Sequence, residues 1–199
     1  MGGFTVPRTL RRIFVVAWLC ISVAIAPTGF ADTANERERH AAILIKALTY
    51  DAKMVERAGR EMVVAVLYSA NDSTVNDEAD AWLAAFEKLT SMRFLGLPFR
   101  ALKLPFSSTE RLRKAIVQEG IDAVFVVGVT KDSLTGIENV SRERKVLTLA
   151  SRQEQVTAGL TLGVFVIDGK NTLLINLTSS REEGAAFRNE IFALAKVIK

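Results

Sequence analysis

One cysteine and one histidine stand among 199 residues, and only four prolines. A single His40 excludes a three-histidine zinc site, and a lone Cys20 excludes an intrachain disulfide or a cysteine cluster. No Walker phosphate loop, dinucleotide glycine fingerprint or nucleophile elbow occurs, so the usual sequence marks of nucleotide-binding and serine-hydrolase chemistry are missing. Repeats, low-complexity tracts and Pro/Gly-rich linkers are absent too. Aromatic residues make up 8% and charged residues 24% of the chain, which is globular rather than disordered composition.

What is present begins with a secretory pattern over residues 1–31. Arg8, Arg11 and Arg12 form a cationic start, and Ile13 to Ala26 is an apolar run, interrupted by Ser22 alone, that is too short to span a bilayer. Gly29 and Ala31 place the small residues that put cleavage between Ala31 and Asp32. Cys20 follows the bulky Trp18 and Leu19 and so does not read as a lipidation site. The segment carries three arginines and no acid, which leaves 23 basic and 22 acidic residues after Ala31. Phosphate binding needs a concentrated basic face, so nucleic acid is excluded as a partner. The expectation is a periplasmic chain with one domain, residues 32–199.

Periodicity then predicts a helix over residues 33–58, with Ala41, Leu44, Ile45, Leu48, Ala52 and Val55 on one face. Met62–Ser69 reads as a buried parallel strand, and Trp82, Leu83, Phe86 and Leu89 as the next helical stripe. A strand at Arg100–Leu104 precedes a helix opened by Ser107 with Glu110 and stopped by Gly120. Ala123–Val127 and Val146–Leu149 are strands on either side of a helix at about 131–143. Ser151 with Glu154 opens a short helix ending at Gly159, and Asp168–Asn171 joins the strands Leu162–Ile167 and Thr172–Leu177 as a hairpin. Ser180 with Glu183 caps a last helix with Phe187, Ile191, Leu194, Ala195 and Ile198 on its inner face. Alternation of this kind predicts an α/β three-layer sandwich with a mostly parallel sheet and a C-terminal antiparallel hairpin.

No catalytic or metal site emerges, and no cofactor is expected. His40, with Glu36 and Arg37 beside it, reads as part of a solvated helix start. Asp77, Glu78 and Asp80 read as acids in a first helical turn, where the dipole favours them, and Glu143 as part of a solvated charge run. Two features go further. The carboxyl ends of the strands carry Ser69, Asn71, Ser107, Ser108, Thr130, Ser151 and Arg152, where open α/β sheets bind ligands. The first helix also has a second apolar stripe, Ile43, Ala47, Tyr50 and Met54, expected to be covered by a loop of this chain or to serve as an interface for a second copy or another protein.

The C-terminal third resembles the YfiR-like family of exported bacterial regulatory proteins. Val146-Leu147-Thr148-Leu149, Gly159, Gly163-Val164-Phe165, Ile175-Asn176-Leu177, Gly184 and Leu194-Ala195-Lys196-Val197-Ile198 carry it. The Ala41–Leu48 helix and the Val63–Tyr68 and Asp122–Val127 strands fit in order. The resemblance implies a non-enzymatic periplasmic regulator that contacts a membrane-bound partner, an inner-membrane diguanylate cyclase of the cyclic-di-GMP pathway or a sensor or outer-membrane receptor. It departs from the family in having no cysteine after Ala31, which excludes a cysteine-based redox cue, and in showing Leu48-Thr49-Tyr50-Asp51 where a tryptophan-proline ending is common. The alternative expectation is a small-molecule receptor with its ligand at the strand ends.

Overall fold

A computed structural model describes residues 1–2, 29–70 and 72–198, with side chains of the first helix placed from Thr33 on. Residues 3–28, which hold most of the expected secretory segment, and Asn71 therefore lie outside the described residues. Ala31 and Asp32 fall in the first turn of α1 (Gly29–Leu48), where only the backbone is described. After it come α2 (Met54–Ala58), β1 (Met62–Ser69), α3 (Ser73–Glu87), β2 (Arg93–Phe94) and β3 (Leu97–Phe106). Next are α4 (Thr109–Glu119), β4 (Ala123–Val127), α5 (Lys131–Arg144), β5 (Leu147–Ala150) and α6 (Gln153–Ala158). The chain closes with β6 (Leu162–Ile167), β7 (Lys170–Asn176), α7 (Leu177–Glu182), a 3-10 turn at Asn189–Ala193 and β8 (Ala195–Ile198).

One sheet runs in the order β2-β3-β1-β4-β5-β6-β7-β8. The strands β3, β1, β4, β5 and β6 are mutually parallel, and β7 returns antiparallel to β6. The hairpin turn between them is Asp168-Gly169 alone, both at positive φ (50° and 72°), as a tight two-residue hairpin demands. In chain order the five parallel strands lie 2-1-3-4-5, which puts a reversal of direction between β1 and β4.

Strand residues alternate between two cores because side chains point to opposite faces. Met62, Val64 and Val66 face α1, α2 and α3 together with Phe125, Leu149 and Ile175. Val63, Ala65 and Leu67 face α4, α5 and α6 together with Val124, Val126 and Leu174. The molecule is thus a three-layer α/β sandwich with a mostly parallel sheet and an antiparallel β6–β7 hairpin, as the alternation predicts.

Three local expectations are corrected. The first helix does not run to Ala58. It stops at Leu48 because Asp51 turns inward, its Oδ1 accepting the N–H groups of Lys53 (3.1 Å) and Ala186 (2.8 Å). Val55, expected on the inner face, is consequently 47% exposed. The last helix is replaced by α7, the 3-10 turn and β8. Residues 185–188 are held in an extended path by Ala52 N–H to Ala186 O (3.0 Å) and Arg188 N–H to Tyr50 O (3.0 Å), so helix cannot propagate through them. Gly184 supplies the left-handed turn into that path (φ 84°), and Leu194, expected inside, is 62% exposed. The short strand β2 carried no sequence signal.

Of the second apolar stripe, Ala47 and Met54 are buried in the core, and Ile43 and Tyr50 are half-buried against it, beside Ile191 of the C-terminal segment. Arg188 lies over the Tyr50 ring at 5.6 Å and donates to Thr49 O at 2.7 Å. Of the expected covers, the chain's own residues thus take most of the stripe. What remains is a shallow groove of about 130 Å³ beside Leu173 and Leu194.

The amino edge of the parallel strands is built for stability. Glu183 is fully buried there; its carboxylate accepts the Thr148 N–H (2.8 Å) and the Thr148 and Thr161 hydroxyls (2.6 and 2.5 Å). Burial is the larger influence and pushes its pKa up to about 7 in spite of those donors. Asp122, accepting the Val63 N–H at 2.8 Å, is likewise raised by burial to about 6. A carboxyl whose folded pKa lies above its unfolded value stabilises below the unfolded value and loses that contribution as pH rises through the folded one. For Glu183 the window runs from its ordinary 4.5 to about 7, and the loss is about 3 kcal/mol. Urea melts at pH 5 and pH 8 should show lower stability at pH 8, and Glu183→Gln should flatten the difference. An unchanged slope in that variant would remove Glu183 as its source.

Candidate functional site

The carboxyl edge of the parallel strands has the opposite character. Along it lie Ser107 and Ser108 after β3, Ser69 at the end of β1, Thr130 after β4, and Ser151 and Arg152 after β5. The sheet order thus brings the described members of the expected crevice to one edge, in the sequence β3, β1, β4, β5. Most of their polar atoms are spent on helix starts. Ser108 Oγ accepts the Arg111 N–H (3.2 Å), and Thr130 Oγ1 accepts the Ser133 N–H (3.3 Å). Gln155 Oε1 accepts the N–H groups of Ser151 (3.0 Å) and Arg152 (3.1 Å), so Gln155, not Glu154, closes the start of α6.

The capping residue of α4 is Ser108 rather than Ser107, whose hydroxyl instead receives Arg111 Nη1 at 3.3 Å. Ser108→Ala should therefore cost about 1 kcal/mol, and Ser107→Ala only a few tenths. Parallel urea melts separate the two, and equal losses would contradict the cap assignment.

A cleft opens at one end of this edge, between α1, which packs on β6 and β7, and α3, which packs on β1, β3 and β4. It encloses about 270 Å³ and is lined by Thr33, Glu36, Arg37 and His40 of α1, Glu78 and Trp82 of α3, Ser151, and Val164, Phe165 and Val166 of β6. Of the described crevice residues only Ser151 lines it; Arg152 reaches its rim by pairing with Glu78 at 3.5 Å. Ser69, Ser107, Ser108 and Thr130 lie farther along the edge.

Each wall has a local cause. Trp82 is on the buried face of α3, its ring 4.5 Å from Phe125 and 6.3 Å from Phe86, so only an edge reaches the cleft. His40 is 7% exposed and donates from Nε2 to Asn171 Oδ1 on β7 at 3.0 Å, with Glu36 Oε1 at 3.8 Å. The expectation of a solvated histidine is thereby corrected: α1 lies flat on β6 and β7, and His40 faces them. Arg37 makes no hydrogen bond or ion pair among the described residues. Gly163, beside Val164, leaves room for the Phe165 ring and Val156; a Cβ there would stand 2.4 Å from that ring.

Chemically the cleft offers charges of both signs beside Trp82 and Val164. Among the described residues no group of three or more His, Cys, Asp or Glu is placed to hold a metal ion, and no helix is long and apolar enough to cross a membrane. Sequence reasoning found Ser151 through its place after a strand. It missed Trp82, Val164 and Phe165 as cleft residues because each reads as ordinary core.

No protein-family model and no curated protein matches the chain. Similar solved structures exist. The ABC domain in complex with L-Trp from Streptococcus pneumonia has a TM-score of 0.53 at 15% identity, covering 81% of this chain and 62% of that one. A conserved domain protein from Vibrio cholerae has a TM-score of 0.53 at 12% identity, covering 82% and 60%. A substrate binding protein with adhesive properties from Clostridium difficile, ligand-free and open, has a TM-score of 0.50 at 13% identity, covering 77% and 59%. At these identities the likeness is one of fold. This chain spans about three fifths of the length of those proteins.

Proposed function

We propose that this chain is an exported small-molecule receptor domain that holds its ligand at the carboxyl ends of β5 and β6. The carrying observation is the cleft, in which Arg37, Glu36 and Glu78 stand around Trp82 and Val164 at the sheet edge where α/β folds bind ligands. Its volume, about 270 Å³, lies just below the span of about 300–1,000 Å³ usual for drug-sized ligands, so the occupant is a small metabolite. Two of the similar folds support the reading, one described with L-Trp bound and one as a substrate binding protein. Fold likeness alone does not assign function, and the site carries the argument.

Export rests on the cationic and apolar pattern before Ala31. The YfiR-like resemblance adds a membrane-bound partner that reads whether the domain is occupied, and no reaction is assigned to the chain. A thermal-shift screen over amino acids, sugars, dicarboxylates and nucleosides tests the ligand. Binding that is 100-fold saturated should add about 2.7 kcal/mol of stability, a shift of several degrees. A flat response across all four classes would contradict the proposal.

A further inference from the structure

Resting on the ligand-binding reading above, we infer that the cleft accepts a zwitterionic amino acid with an apolar side chain. The charges on its rim are balanced, with Glu36 and Glu78 against Arg37 and the Arg152 that pairs with Glu78. A ligand of zero net charge with separated poles complements that rim. Phosphate or a dicarboxylate would meet two glutamates, and a wholly apolar ligand would desolvate charges without pairing them.

The poles can be assigned. Arg37 has no partner among the described residues, so its guanidinium is free to take a carboxylate through two parallel N–H donors. Glu78 is only loosely paired, at 3.5 Å to a half-exposed Arg152, and retains acceptor capacity for an ammonium group. Glu36 stands 3.8 Å from His40, whose Nε2 is already committed to Asn171. Between the poles Trp82 and Val164 offer contact to an alkyl or aryl side chain.

Calorimetric titration of the full chain with L-leucine and L-phenylalanine tests this, with 4-methylpentanoic acid and 3-methylbutylamine as leucine analogues that each lack one pole. At least one of the two amino acids should bind; if L-leucine does, both analogues should bind about tenfold or more weakly, the worth of one charge-assisted hydrogen bond. Arg37→Gln should weaken amino-acid binding by a similar factor and narrow the gap to the amine, whereas Glu78→Gln should narrow the gap to the acid. Both side chains lie on the rim, and unchanged melting temperatures would show that the variants fold. Binding of a sugar, nucleoside or dicarboxylate with no amino acid would overturn this class while leaving the receptor reading intact. Amino-acid binding indifferent to both substitutions would overturn the pole assignment. No binding by any member of either panel would overturn both.

Discussion

Replacing Phe125 by alanine should cost about 3–5 kcal/mol, a large part of the roughly 5–15 kcal/mol that holds a domain folded. Phe125 sits in the middle of β4, next to the strand reversal, and is fully buried. Its ring packs at 4.5 Å from Trp82 and, edge-on, at 5.2 Å from Phe86. Removing it opens a cavity bounded by a rigid strand and two large rings, which cannot collapse into the space. Urea melts give the loss. The same variant should loosen Trp82 and so shift its fluorescence in the folded state. Phe165→Ala makes a useful contrast. Phe165 is only half-buried, so its loss should be the smaller of the two, in spite of its place on an inner strand. Equal losses would mean that burial misstates which ring supports the core.

Asp51→Ala should be comparably severe, at about 3–5 kcal/mol, for an electrostatic reason. The Asp51 side chain is fully buried; Oδ2 faces Arg57 Nη2 at 3.2 Å while Oδ1 accepts from Lys53 and Ala186. Truncation strands a mostly buried guanidinium and leaves two N–H groups without acceptors. It also frees the path of residues 185–188, which Asp51, Ala52 and Tyr50 hold. Limited proteolysis should accordingly cut the variant between Gly184 and Leu194 earlier than the parent. Adding Arg57→Met should recover part of the stability, because the uncompensated charge is gone. A double variant no better than Asp51→Ala would place the loss in the N–H groups alone.

These two residues also show what could be read from the chain and what could not. Phe125 lies in Ala123–Val127, a run whose strand and burial follow from its apolar composition. So do β1, α3, α4 with its Gly120 stop, and the β6–β7 turn at Asp168-Gly169, since each is governed by neighbours in sequence. Asp51 is different. It reads as one more helical residue, and only a partner 135 positions away, Ala186, explains why the helix ends before it. The same distant contact undoes the last predicted helix. The stripe Phe187, Ile191, Leu194, Ala195, Ile198 has helical spacing, yet β8 gains a ladder along β7, from Leu173 opposite Ala195 to Asn176 opposite Ile198. Tertiary pairing overrides local preference there.

The cleft was half legible for the same reason. That ligands belong at the carboxyl edge follows from strand alternation, and Ser151 was named on that ground. Which part of the edge is open depends on how α1 crosses β6 and β7. That crossing turns His40 toward Asn171, 131 residues away, and leaves Arg37 facing the space above Trp82. Helical periodicity places Glu36 and His40 on one face but does not say that the face is covered.

The receptor reading stands or falls on where a ligand makes contact. Amide shift mapping by NMR, with the tightest-binding metabolite of the screen added stepwise, reads this directly. Saturable shifts should gather at residues 36–40, 78–82, 151–152 and 164–166, and remain small at the amino edge around Thr148, Thr161 and Glu183. Shifts centred instead on the groove beside Tyr50 and Leu194, or none at any concentration, would contradict it.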